Sequence, residues 1–185
     1  MRIRGLFLLP LLLAGCASPS PKLYTLGTVP GRPVSAPARV IELRHIGLAR
    51  YLDRPGIVER VDAYRVTLAD DARWAEPLPD MLARVLAADL GARLSGSSVF
   101  TAASPITATP DRIIEIDIQR FDAEASFDLI ANVAIQKPGA TPRLATFHLS
   151  APAPGGEEDQ IATMSRLLGE LADHIAEMLE KERQP

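Results

Sequence analysis

The stretch Ile114-Glu115-Ile116-Asp117-Ile118-Gln119 alternates apolar and polar residues without a break. Side chains along a strand point to opposite faces with period two, so this run predicts a strand with one face buried and the other in water. The alternation slips a phase at Arg120-Phe121, which predicts a bulge or the end of pairing. Phe127, Leu129, Ala131, Val133 and Ile135 make a second alternating run, with Asp128 and Asn132 on its other face. Pro138-Gly139-Ala140-Thr141-Pro142 reads as a turn, and Arg143 to Ala151 as a third strand. Joined in this order, the three segments predict an antiparallel meander.

Beyond the meander, Pro152 to Asp159 is a polar loop, and then the period changes. Ile161, Met164, Leu168, Leu171, Ile175 and Met178 form one continuous stripe with Leu167 and Leu179 beside it, predicting a helix of roughly six turns. The stripe is expected to cover a sheet face; a coiled-coil seam is the alternative. Met164 and Met178 read as core filler rather than a lipid groove.

Upstream, Val99-Phe100-Thr101-Ala102 reads as a short strand. Leu78, Leu82, Val85, Leu86, Leu90 and Leu94 follow helical spacing, with Asp80, Arg84, Asp89 and Arg93 expected on the other side. Pro77 and Pro79 suit the first turn of that helix, where their missing N–H groups would be unpaired anyway, and Ser95-Gly96 supplies a stop. Ile57 to Val61 and Tyr64 to Leu68 flank Asp62-Ala63 as a hairpin. Before it, Arg50 to Gly56 predicts a turn in which Pro55 presets one dihedral and Gly56 accepts a positive φ. Arg39 to His45 predicts the first strand of the folded part. Two helices among about six to seven strands predict an α/β (α+β) sandwich built on a mixed sheet.

The first residues read differently. Arg2 and Arg4 precede the apolar run Gly5 to Leu13, and Leu13-Ala14-Gly15-Cys16 follows. That is a secretory signal with a basic start and an apolar segment too short to span a bilayer. Two small residues before a cysteine resemble the bacterial lipobox, in which the cysteine is acylated and becomes the first residue of the mature protein. Residues 1–15 are therefore expected as a lipoprotein signal peptide, 16–37 as a lipidated N-terminus and Pro-rich tether, and 38–185 as one domain. Within the tether, Lys22-Leu23-Tyr24-Thr25-Leu26 is expected to dock on the domain or on a neighbour. Cleavage near Ala14 to leave a free thiol is the alternative. Cys16 is the single cysteine, so no disulfide framework or cysteine metal site can form.

Removing residues 1–15 takes away two arginines and no acid, moving the net charge from −3 to −5. A mildly acidic chain lacks the basic footprint that nucleic acid demands. Catalytic motifs are missing as well: there is no HExxH, P-loop, G-x-S-x-G elbow or Gly-rich dinucleotide fingerprint. His45, His148 and His174 are scattered, so no metal or other cofactor is expected. What remains is Tyr51-Leu52-Asp53-Arg54-Pro55 together with Arg73-Trp74-Ala75-Glu76-Pro77-Leu78. Tyr, Trp and Arg are enriched at interface centres, so Tyr51, Leu52, Asp53, Arg54, Arg73, Trp74 and Glu76 form a candidate partner-binding set. A purely structural role is the alternative, with Trp74 packed under the helix and Arg73 or Arg54 paired with Glu76 or Asp53.

These residues also carry a resemblance. Cys16, Tyr24 to Leu26, Tyr51 to Pro55, Ile57 to Arg60 and Arg73 to Leu78 together resemble the PqiC family of ABC-type transport auxiliary lipoproteins. The resemblance implies an α/β sandwich fold and a non-enzymatic subunit of an intermembrane lipid transport system. Its implied partners are a periplasm-spanning MCE-domain protein and an inner-membrane permease, with the lipoprotein held at the periplasmic face of the outer membrane by acyl chains. Ala17 after the cysteine, where an aspartate would direct retention at the inner membrane, fits outer-membrane sorting. A homo-oligomer stays open. Two other classes stay open too: an activator of a cell-wall synthase, and a periplasmic hydrolase using Ser126 or Ser150 near His148.

Overall fold

Alternation and helical stripes translate into ten elements in the computed structural model of this protein, which describes residues 20–105, 108–153 and 155–182, without the side chain of His45. In chain order they are β1 (Lys22–Tyr24), β2 (Val40–Leu48), β3 (Gly56–Arg60), β4 (Val66–Trp74), α1 (Leu78–Arg93), β5 (Ser98–Thr101), β6 (Arg112–Ala123), β7 (Ser126–Gln136), β8 (Arg143–Pro152) and α2 (Glu157–Lys181). The expected signal peptide and Cys16 lie outside the described residues.

The isoleucine run is the central strand of a five-stranded sheet in the order β5-β2-β6-β7-β8. β6, β7 and β8 form the antiparallel meander, while β2 runs parallel to both β5 and β6. The phase slip is real: pairing passes from Ile118 opposite Ala131 to Arg120 opposite Ile130, leaving Gln119 as the extra residue. The slip keeps Phe121 on the buried side, edge-to-face with Phe127 at 5.6 Å between ring centres. It also sets Arg120 and Asp122 on the opposite face.

Both helices lie on one face of this sheet, α1 over β2 and β5, α2 over β7 and β8. Every residue of the predicted α2 stripe is buried, Met164 and Met178 among them, and so are the six apolar positions predicted for α1. Burying each leucine of these stripes stabilises the fold by roughly 2 kcal/mol relative to leaving it in water. The other sheet face carries Glu115, Asp117, Thr146 and His148 and meets solvent, the expected division for an antiparallel meander.

The remaining strands do not join this sheet. β1, β4 and β3 make a separate three-stranded sheet in that order, with β3 antiparallel and β1 parallel to β4. The α/β (α+β) sandwich is thus mixed in both of its sheets, and its eight strands are divided five to three. Gly56 differs from the expected turn: it opens β3 opposite Arg73, and only Gly96 and Gly139 have positive φ among the described residues. A Cβ at Gly56 would meet Leu68 and the Arg73 guanidinium at 3.4 Å, an ordinary contact, so neither a left-handed turn nor lack of room requires the glycine.

The stretch expected as a tether is fastened to the domain over much of its length. Tyr24 donates its hydroxyl to Glu157 at 3.0 Å, and Leu26 is buried with its N–H on the Met81 sulfur. Further along, the Gly27 N–H reaches Ser165 Oγ at 3.1 Å and the Val34 N–H reaches the Arg93 carbonyl at 2.8 Å. Proline and glycine prevent this segment from being helical, but they leave its backbone groups free to bond elsewhere.

Candidate partner-docking site

The predicted partner-binding residues come from two elements that meet at one end of the molecule. The loop Ala49–Pro55 leaves β2, and Arg73 and Trp74 end β4 just before α1. Two short backbone bonds fold the loop: the Leu52 N–H donates to Ala49 O and the Arg54 N–H to Leu52 O, each at 2.8 Å. A third ties the two elements together, from the Trp74 N–H to Pro55 O at 2.8 Å.

Underneath the loop sits Asp122, which has no solvent exposure. Its carboxylate accepts the Tyr51 hydroxyl at 2.5 Å, Arg60 through Nε at 2.7 Å and Nη2 at 2.9 Å, and Arg120 Nε at 3.1 Å. The Arg60 guanidinium also lies over the Tyr51 ring, 5.6 Å from its centre. Burial pushes the Asp122 carboxyl up, but the hydrogen bonds from Arg60 and Tyr51 and the neighbouring positive charges outweigh it, holding the group below the ordinary carboxylate range. Burial and the bond to Asp122 push the Tyr51 phenol up to about 12. The cluster therefore fixes three chain segments around one charge, and it presents the loop on a rigid base.

This geometry separates the candidate residues. Leu52 and Trp74 point inward and belong to the core with Ile57, Leu78 and Phe121. The indole N–H of Trp74 is buried with no partner among the described residues. Tyr51 is half-buried by its bond to Asp122. Asp53 and Arg54 are left exposed at the tip of the loop. Arg73 curls back on its own strand, donating to the carbonyls of Ala69 and Ala72 at 2.8 Å and of Asp70 at 3.2 Å. Glu76 pairs with Arg84, whose guanidinium also reaches Thr25 Oγ1 at 3.3 Å. The pairing expected of Glu76 thus goes to a residue nearly two helical turns into α1.

A second polar cluster escaped the sequence reading. Asp89 and Arg93, expected on the wet side of α1, are both 1% exposed. Arg93 reaches across to Asp173 on α2 at 2.6 Å and donates to the carbonyls of Val29 and Asp89 at 3.0 and 3.1 Å. Asp89 Oδ1 accepts the Val29 N–H at 2.8 Å. Burial pushes the Asp89 carboxyl up, against that bond and the charge of Arg93. Their spacing of four on one helix face gave no signal of burial, since a buried Asp/Arg pair and a surface pair share it.

The serines considered as nucleophiles are on the open sheet face. Ser126 and Ser150 both donate to Asp128 Oδ1, at 3.0 and 2.8 Å. His174 stacks on Phe147 with 5.0 Å between ring centres. Among the described residues no group of His, Cys, Asp and Glu is arranged to hold a metal ion, and no helix is long and apolar enough to cross a membrane.

Replacing Tyr51 by Phe is expected to lower stability at neutral pH by about 1–2 kcal/mol through the lost bond to Asp122. The raised phenol contributes stability that is complete below its ordinary value of 10 and is lost as pH rises through about 12. Urea midpoints followed from neutral pH to pH 12 should fall more steeply in the parent than in Tyr51→Phe.

Comparison with known proteins gives three findings. The family model described as ABC-type transport auxiliary lipoprotein component matches residues 24–176. No curated protein matches. Among solved structures, an uncharacterized protein superimposes with a TM-score of 0.73 at 17% identity, covering 87% of this chain and 99% of its own. Protein XCC0632 from Xanthomonas campestris, of the DUF330 family, does so at 0.69 and 16%, covering 84% of this chain and 92% of its own. At these identities the two structures speak to the fold alone.

Proposed function

We propose a function from one premise: this chain belongs to the family of ABC-type transport auxiliary lipoprotein components. On our reading it is a docking subunit without catalytic activity. It is anchored through acylated Cys16 at the periplasmic face of the outer membrane, and it holds an MCE-domain protein of an intermembrane lipid transport system there. The inner-membrane permease would be reached through that partner.

The observation that carries this reading is the fastened N-terminal segment. From Lys22 onward the chain is bonded to the domain, so five residues, spanned by six Cα–Cα steps, separate the folded body from Cys16. Fully extended, they reach about 20 Å. A lipid on Cys16 would therefore hold the domain close against the bilayer, as a docking post requires, instead of letting it roam on a long leash. The exposed pair Asp53 and Arg54, on the base formed by Asp122, offers a rigid and charged surface for a partner. The same domain could dock a cell-wall synthase, and the choice of partner is what the experiment decides.

Replacing Cys16 by Ser is expected to move the protein from membranes to the soluble periplasmic fraction, since the acyl chains hold it there with about 0.8 kcal/mol per buried methylene. Tagged parent protein extracted from membranes is expected to bring down an MCE-domain protein, and its deletion to raise outer-membrane permeability. Membrane extracts that yield a cell-wall synthase instead, or an unchanged permeability barrier with no MCE-domain protein, would refute the reading.

A further inference from the structure

Among the described residues six large apolar side chains are exposed, and five of them belong to the three-stranded sheet and its hairpin: Leu23, Val61, Tyr64, Val66 and Leu68. Exposed apolar residues scattered singly need no explanation, but a concentration on one small sheet does. Tyr64 is the extreme case, 96% exposed at the tip between β3 and β4. It is held out by Asp62, whose Oδ1 accepts the N–H groups of Tyr64 and Arg65 at 2.9 Å while Oδ2 takes Arg65 Nε at 2.7 Å. The tip is thus a fixed turn that displays an aromatic ring.

The register of β1 shows what this surface faces. β1 runs parallel to β4, with Lys22 opposite Ala72 and Tyr24 opposite Trp74. The N-terminal end of β1, at Lys22, points toward the Val66 end of β4 and the hairpin tip. The seven residue steps from Ala72 to Arg65 span at most about 23 Å along a regular strand, and less here because β4 carries extra residues opposite β3 between Leu68 and Arg73. The six Cα–Cα steps from Lys22 back to Cys16 can reach about the same distance. The Tyr64 tip is therefore within reach of a lipid anchor on Cys16.

We propose that the β3–β4 hairpin is a second membrane contact, in which Tyr64, Val61 and the apolar residues behind them rest in the interfacial layer of the bilayer that holds Cys16. This rests on the lipid anchor in the function proposed above. A bilayer suits the chemistry better than an acidic or basic protein partner, because the cations beside the apolar residues are already paired: Arg65 with Asp62 at 2.7 Å, and Lys22 with Asp71 and Glu157 at 3.8 Å. Tyrosine, apolar in its body and polar at its tip, is the side chain enriched at membrane interfaces. The contact needs little affinity of its own. The anchor makes it intramolecular, so a weak apolar contact is occupied most of the time. The domain would then stand on two feet with a fixed tilt.

A nitroxide spin label tests this in the full chain. Acylation occupies the thiol of Cys16, so Tyr64→Cys provides one labelling site, and Ala140→Cys in the β7–β8 turn, at the opposite end of the five-stranded sheet, provides the control. Each variant is purified from membranes, checked for acylation by mass spectrometry, and reconstituted into vesicles of phosphatidylethanolamine with a minority of phosphatidylglycerol. At position 64 the ratio of collisions with oxygen to collisions with a water-soluble nickel chelate is expected to rise several-fold over position 140. Equal ratios in acylated protein would overturn the hairpin contact and leave the anchor standing. A label shielded from both quenchers would overturn it in favour of a protein partner. An unmodified Cys16 thiol would bring down the anchor and this contact together.

Discussion

Asp122→Ala is expected to lower the free energy of unfolding by about 3–5 kcal/mol, the loss that follows when one side of a buried ion pair is removed. That is a large share of the roughly 5–15 kcal/mol available to a domain of ordinary stability. The side chain is fully buried, and its loss leaves Arg60 without its carboxylate, while Arg120 keeps only Glu124 at 3.6 Å and Asp128 at 3.3 Å. Tyr51 loses its acceptor at the same time, so the loop carrying Asp53 and Arg54 should loosen along with the global loss. Urea unfolding would measure the first effect and backbone hydrogen exchange in residues 49–55 the second. Acid adds a directional check. The Asp122 carboxyl is held below its ordinary value of 3.8, so its contribution is complete above that pH and is lost as pH falls through the lower, folded-state value. Asp122→Asn should therefore show a flatter acid limb than the parent. A parent-like steepness in the Asn variant would mean that other carboxylates dominate acid unfolding.

Arg93→Ala should have an effect almost as large, but a more local one. Arg93 is nearly inaccessible, while its partner Asp173 is 44% exposed along its side chain and can be hydrated when left alone. The expected cost is therefore nearer 2–4 kcal/mol, made up of the lost ion pair and the donors withdrawn from Val29 and Asp89. Much of it should appear as opening of residues 26–34. Each 2 kcal/mol raises the open population about 30-fold, which native-state cleavage by a non-specific protease would register in that segment. Two glycines show how closely the parts fit. A Cβ on Gly31 would fall 2.1–2.3 Å from the Arg93 guanidinium, and one on Gly169 would fall 2.9 Å from Val29 Cβ. Cleavage rates unchanged by the substitution would show that Arg93 does not secure the segment.

Where a residue's role is set by its immediate neighbours in sequence, the role could be read directly. Ile114, Ile116 and Ile118 announce a half-buried strand, the Ile161 to Met178 stripe announces a covering helix, and the phase slip at Arg120 announces a bulge. Roles set by distant partners could not be read. Alternation says which way a side chain points but not which strand lies alongside, so the division into two sheets was hidden. Asp89 and Arg93 have the spacing of a surface pair, and only the arrival of Val29 and Asp173 makes them interior. Proline and glycine between Pro19 and Pro37 exclude a helix there; they say nothing about whether the extended chain finds hydrogen-bonding partners. At the candidate docking site, Trp74 combines rarity with interface-type chemistry. The backbone bond from Trp74 to Pro55 and the neighbouring core residues turn its ring inward instead.

The direction of β1 has a mechanical side. β1 lies parallel to β4 with Lys22 at its free end, so if Cys16 carries the proposed anchor, tension applied through that end along the strand acts in shear. A pull in that direction loads the backbone bonds of β1 side by side, together with the Tyr24 contact and the bonds at Gly27 and Val29 behind it. Peeling from the other end would break them in succession. The attachment of β1 is thus stronger against a pull along the strand than against peeling.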